Sequence, residues 1–136
     1  MNFLREYILT EIEDIKVAIE GVMSGIEKYV VLTEARRYEL KLVMNELLVN
    51  CFDHANPRGK RTVVLRVFAV KDKVRIRVKD NGQGFEYEYT HKNLKKPLDE
   101  KRLYAEGGRG LMLVDAFCET VKYYGNGNSV EVSIAL

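Results

Sequence analysis

Glu46, Asn50 and His54 follow one another at intervals of four, a spacing that sets them in a row along one side of a helix. A carboxylate one turn from an amide oxygen suits a hard cation bound together with phosphates. Asn50 can ligate Mg²⁺ through its carbonyl oxygen, and Glu46 can orient or deprotonate a nearby nucleophile. The row flanks an apolar stripe, so these side chains are expected at the edge of the core, facing a cleft. Taken alone, the same spacing is more often that of a solvated helix edge.

Asp80-Asn81-Gly82-Gln83-Gly84-Phe85 stands at the end of an alternating segment. Two glycines one residue apart let backbone approach a ligand closely and adopt positive φ. The ionised aspartate before them only accepts hydrogen bonds. It can take one from the exocyclic amine of adenine and would reject guanine, which carries a carbonyl at that ring position. An ordinary Asp-Asn-Gly turn has the same letters. Gly107-Gly108-Arg109-Gly110 opens an apolar helical segment. Backbone N–H groups at a helix start bind anions, and the glycines let a phosphate come near. Arg109 and the lysines upstream (Lys92, Lys95, Lys96, Lys101) can add positive charge against a triphosphate. A flexible loop capping a helix is the alternative. The order of the three segments, more than any one of them, points to a nucleotide.

The elements that must position these residues follow from hydrophobic period. Ile12, Ile15, Ile19, Val22, Met23, Ile26 and Val30 predict a helix over 12–30, and Leu40, Val43, Met44, Leu47, Leu48 and Cys51 a second over 34–55. Thr33 is its expected N-cap, and Asn56-Pro57-Arg58-Gly59 its end. Residues 62–70 and the alternating Val74, Ile76 and Val78 predict a half-buried β-hairpin turning at Lys71-Asp72. Residues 86–106 are polar and lysine-rich without a period, a long loop of the kind that serves as a lid. A helix through Leu111, Leu113, Val114 and Phe117 follows. Strands over 119–124 and 129–136 close the chain around a Gly125-Asn126-Gly127-Asn128 turn. No repeat or linker interrupts the 136 residues, so one domain is expected. Its simplest architecture is helices packed on one face of a mainly antiparallel sheet.

Composition narrows the classes. Hydrophobic content of 46% and charged content of 31% are ordinary for a folded chain. A net charge of +2 does not favour nucleic acid or an anionic membrane as the main partner. No stretch has the length of a membrane span and no signal segment opens the chain, so the cytoplasm is the expected location. Cys51 and Cys118 fall in helical patterns and are expected to be buried thiols. Other nucleotide signatures are missing: no G-x-x-x-x-G-K-[ST] loop, no G-x-G-x-x-G, no H-R-D loop.

In order and spacing these segments resemble the GHKL ATPases, the superfamily of the gyrase B subunit, the heat-shock chaperone, the histidine kinases and MutL. Glu46…Asn50 is similar to its N box, Asp80-x-Gly82-x-Gly84 to its G1 box and Gly108-x-Gly110 to its G2 box. The run Asn50-Cys-Phe-Asp-His54-Ala55 and the ending Glu106-Gly-Gly-Arg-Gly-Leu-Met-Leu-Val resemble the bacterial anti-sigma factor/serine-protein kinase branch. The resemblance implies a Bergerat-type two-layer α/β sandwich, with a mixed, mainly antiparallel sheet, that binds Mg-ATP under a mobile lid. By the same resemblance, Glu46 is the general base, Asn50 the Mg²⁺ ligand and Asp80 the adenine reader. Gly82, Gly84, Gly108 and Gly110 shape the pocket, and His54 supports structure. Members of that branch phosphorylate a serine or threonine on a small anti-anti-sigma partner, many bind a sigma factor in the alternative complex, and a homodimer through the first helix is implied. Two other functions stay open: a nucleotide-gated binding module without phosphotransfer, and the catalytic domain of a histidine kinase. For the last, His54 and His91 both fall outside any upstream dimerisation helix.

Overall fold

The computed structural model describes residues 2–54, 62–81, 114–124 and 129–136. In chain order its elements are β1 (Asn2–Leu9), α1 (Asp14–Glu27), α2 (Glu34–His54), β2 (Val63–Val70), β3 (Lys73–Asp80), β4 (Thr120–Tyr124) and β5 (Ser129–Ala135). The five strands form one sheet in the order β1-β2-β3-β5-β4. Each pairing is antiparallel, so the sheet is the mainly antiparallel one expected, with no parallel pair among the described residues. Both helices pack on one face, α1 on β1 and α2, and α2 on β2 and β3. The fold is therefore α+β in two layers.

The apolar periods place the core between those layers. Leu40, Val43, Met44, Leu47, Leu48 and Cys51 of α2 are all buried. They meet Val63, Leu65 and Val67 of β2, Val74, Ile76 and Val78 of β3, and Val130, Val132 and Ile134 of β5, one face of each strand. The hairpin is half-buried as expected, with its inward residues buried and its outward ones partly or fully exposed. On α1 the stripe holds for Ile15, Ile19, Val22, Met23 and Ile26. Ile12 is half exposed and precedes the helix, while Val30 lies beyond its end. Thr33 caps α2 as expected: its Oγ1 accepts from the Arg36 N–H at 3.1 Å and its carbonyl from the Arg37 N–H at 2.9 Å. At the front of α1, the Asp14 carboxylate accepts from the Thr10 and Glu11 amides at 3.0 and 3.1 Å and ties the β1–α1 turn to the helix.

Strand β1 is an addition to the sequence reading. It pairs along β2 with an irregularity between Phe3 and Arg5. Besides the buried Leu9, it places Tyr7 and Arg5 against α1. A Cβ added at Gly21 would come within 1.8 Å of the Tyr7 hydroxyl, and one at Gly25 within 3.3 Å of Arg5 Nε. The two glycines, one turn apart, thus form a shallow shelf that admits them. At the hairpin between β2 and β3, Lys71 adopts φ +54°, the left-handed backbone a two-residue turn requires.

The second layer fixes where α2 begins and ends. Thr33 and Arg36 share a cleft with Lys71, Asp72 and Leu136, beside the start of β3. Cys51, eighteen residues along α2, meets Asp80 at the end of β3. Eighteen helical residues rise about 27 Å, and the eight from Asp72 to Asp80 span about 27 Å of strand. Helix and strand run side by side in one direction and finish together. Among the described residues no helix is long and apolar enough to cross a membrane.

Candidate functional site

The end shared by α2 and β3 holds the described members of the expected site. Val74, Ile76 and Val78 alternate inward on β3, and Asp80 is the next position of that alternation. A carboxylate thereby continues an apolar face and is only 3% exposed. It stands across from Val63 of β2. Just beyond it, Asn81 Oδ1 accepts from the Thr62 N–H at 3.3 Å and holds the two strand ends together.

From α2, Asn50 reaches the same region at 6% exposure. Its Nδ2 is buried with no hydrogen-bond acceptor among the described residues, an unusual state for an amide nitrogen. Glu46, one turn earlier, is half-buried. The row was expected at the edge of the core. Glu46 is there, whereas Asn50 goes deeper because it neighbours Leu47 and Cys51 on the buried side of the helix. His54 is the last residue of α2, and its side chain lies outside the described residues. So do Gly82, Gly84, Gly108, Arg109 and Gly110, the Asn56–Gly59 turn, the stretch 86–106 with His91 and its lysines, and the Gly125–Asn128 turn. Of the helix expected through Leu111, residues 114–117 are helical and 111–113 lie outside that set.

The expectation that Cys51 and Cys118 are buried thiols holds. Burial first, then the Asp80 charge and a hydrogen bond to its carboxylate, push the Cys51 thiol well above its ordinary range. It is therefore an S–H donor beside a buried carboxylate. Tyr123 of β4 belongs to the same neighbourhood: burial first, then Cys51, Asp115 and Cys118, raise its phenol above the usual tyrosine range. Sequence patterns separated these residues by up to 72 positions, and only the α2–β3–β5–β4 packing brings them together. The one signal available was Cys51 directly after Asn50 on the buried stripe.

An acceptor-only carboxylate at a strand end, and a buried amide lacking an acceptor one helix away, suit a ligand that carries both an amine and an anion. Among the described residues no group of three or more His, Cys, Asp or Glu side chains is placed to hold a metal. Oxygen donors such as Asn50 and Glu46 fit a Mg²⁺ ion that takes most of its ligands from phosphates and water.

The chain is similar in sequence to known proteins. Residues 10–134 match the family model of the histidine kinase-like ATPase domain. The serine-protein kinase RsbW of Listeria monocytogenes is 32% identical over 115 residues, covering 79% of this chain and 71% of that protein. Its namesake in Listeria innocua is 31% identical over 115 residues, with the same coverage. The serine-protein kinase RsbW of Staphylococcus aureus strain MSSA476 is 26% identical over 91 residues, and the chain spans 57% of its length. With the family model matched over residues 10–134 and a two-layer α+β fold in which the last turns of α2 reach the end of β3, the chain belongs to the histidine kinase-like ATPase family, the GHKL superfamily.

Proposed function

We propose that this chain binds Mg-ATP and acts as a protein serine/threonine kinase, an anti-sigma-type regulator that phosphorylates a small anti-anti-sigma partner. The observation that carries the proposal is that α2 brings Cys51 against the buried Asp80 at the end of β3, with the preceding residue, Asn50, buried and its amide nitrogen without an acceptor among the described residues. The similarity to proteins named serine-protein kinase gives the reaction type.

Each residue has a task in that reaction. Asp80 accepts a hydrogen bond from the adenine amine and thereby excludes guanine. Asn50 offers its carbonyl oxygen to Mg²⁺ and its N–H to a phosphate oxygen. Bound Mg²⁺ neutralises charge on the phosphates. Glu46 takes the proton of the partner's serine or threonine hydroxyl as that oxygen bonds to the γ-phosphorus and the bond to ADP breaks. Such transfer needs little beyond positioning and charge. Gly82, Gly84, Gly108, Arg109 and Gly110 complete the pocket, and 86–106 is its lid, all within one domain of residues 1–136. A sigma factor in an alternative complex, a homodimer and a cytoplasmic location belong to the same proposal.

The test is thermal stabilisation by Mg-ATP and Mg-GTP in wild type and Asp80→Asn. A ligand at one hundred times its dissociation constant adds about 2.7 kcal/mol to folding stability. A shift with ATP that is absent with GTP and lost in the variant is the expected result. No shift with either nucleotide overturns the proposal. Glu46→Ala then separates kinase from binding module: a kinase loses phosphotransfer and keeps the ATP shift, and a module never shows transfer to a partner.

A further inference from the structure

Both helices pack on one face of the sheet, and no described element covers the other. That open face is basic along its middle strand. β3 is the third of the five strands. Its inward positions are Val74, Ile76, Val78 and Asp80, so its outward ones are Lys73, Arg75, Arg77 and Lys79. All four are cations. Alternate residues of a strand stand about 7 Å apart, so these charges form a line about 20 Å long. Arg66 of β2 lies directly opposite Arg77, and Lys122 of β4 lies in the same row beyond Glu131 of β5. Like charges directly opposite one another destabilise a sheet, so folding alone does not account for the arrangement.

Three carboxylates answer these cations, and each is already engaged. Glu119 meets Lys73 at 2.7 Å, Glu131 meets Arg77 at 2.8 Å, and Glu6 meets Arg66. The second oxygen of Glu131 accepts from the Tyr124 hydroxyl at 3.5 Å. Arg75, Lys79 and Lys122 have no ion pair among the described residues. The whole chain carries only +2, so its excess positive charge lies on this face.

We propose that the open face of the sheet is a docking surface for an acidic segment of a partner protein, laid in extended form along β3. An extended chain with a carboxylate at every second residue repeats its charge at the same spacing of about 7 Å. Lys79 adjoins Asp80, so such a segment would end beside the proposed nucleotide site. The surface goes beyond the nucleotide reading and does not depend on it. Nucleic acid is the other extended polyanion, and the face suits it less. Glu6 and Glu131 interrupt the basic row of Arg66 and Arg77, and Tyr124 is the one exposed aromatic there among the described residues. A nucleic-acid strand on a sheet needs an unbroken basic path and several stacking aromatics. A merely solvated face is the competing role.

The probe is a fluorescent peptide of alternating Glu and Ser, about twelve residues long to cover the strip, titrated at low salt without nucleotide. Arg75→Glu with Lys79→Glu is expected to weaken binding about ten-fold. Lys28→Glu with Lys41→Glu makes the same change of net charge on the helical side, where both lysines are exposed. That pair should weaken binding less than about two-fold. Arg75→Gln with Lys79→Gln, expected to weaken it about three-fold, stands in if the reversal prevents folding. Salt at about 0.15 M should weaken wild-type binding, because exposed charge pairs are screened. Equal losses in the two charge reversals overturn the proposal, since net charge alone would then be responsible. So does wild-type affinity in Arg75→Glu with Lys79→Glu. An oligothymidylate of equal charge that binds as tightly as the peptide assigns the face to nucleic acid and overturns it. Sedimentation tests the last occupant: a wild-type dimer that Arg75→Glu with Lys79→Glu dissociates assigns the face to a second copy and overturns it as well.

Discussion

Raising the pH should destabilise this fold in a way traceable to two side chains. Burial and Asp80 keep the Cys51 thiol protonated well above its ordinary range, and burial with Cys51 raises Tyr123 likewise. A group whose folded pKa is raised contributes stability that is complete below its unfolded pKa and is lost as pH climbs toward the folded one. For a thiol the loss begins near pH 8.5, and for a phenol near pH 10. One proton held by the folded state and not by the unfolded corresponds to about 1.4 kcal/mol per pH unit. Cys51 alone should therefore remove about 1 kcal/mol between pH 9 and 10, and Cys51 with Tyr123 about 2 kcal/mol between pH 10 and 11. Urea unfolding at half-unit steps from pH 7.5 to 11, on wild type and Cys51→Val, measures this directly. The difference between the two curves isolates the thiol below pH 10. Curves that run parallel from pH 8 to 10 would show that Cys51 is not held protonated and refute the reasoning.

Three further perturbations probe the site and the layers that carry it. Asn50→Leu replaces a buried amide lacking an acceptor among the described residues with an apolar side chain of similar size. It should raise stability by about 1–3 kcal/mol while abolishing the Mg-ATP shift, both read from melts with and without nucleotide. Leu48→Ala, at a position with no exposed surface, should cost about 2–5 kcal/mol in urea unfolding. Thr33→Ala removes the 3.1 Å cap on Arg36 N–H and should cost about 1 kcal/mol; nucleotide affinity should not change, because the cap lies at the far end of α2 from Asn50.

Where a residue's surroundings come from its own element, the sequence made them legible. The α2 stripe and the β2–β3 hairpin follow from periods of 3.6 and 2, and the Thr33 cap from its place before the first apolar turn. Asp80 at the end of an alternating strand and Asn50 one turn from Glu46 were legible for the same reason. Strand β1 was not. Its inward positions include Arg5 and Tyr7 beside Leu9, so alternation gives only a weak apolar face, and the glycines of α1 make room for the two large side chains. The approach of Cys51 to Asp80 was equally hidden, since 29 positions separate the two. Cys51 was read as a buried thiol from its stripe; which polar atom it would meet depended on how far along β3 the helix reached.

That reach is the geometric fact on which the site depends. Because α2 and β3 begin at the same end of the domain and cover about the same distance, the last turns of the helix arrive at the last residue of the strand. α2 is seated in the core from Leu40 to Phe52 and β3 along its inward face from Val74 to Asp80, so Asn50 and Asp80 are held by packing rather than by loops, as a discriminating site requires. Burial of this kind is unfavourable for the fold itself. A carboxylate closes the apolar face of β3, and an amide nitrogen on α2 lies buried with no acceptor among the described residues. Apolar side chains at both positions would suit the core better. A polar group retained at such a cost on a rigid element suits the proposed ligand, whose phosphate oxygens would supply the acceptor that the Asn50 amide lacks among the described residues.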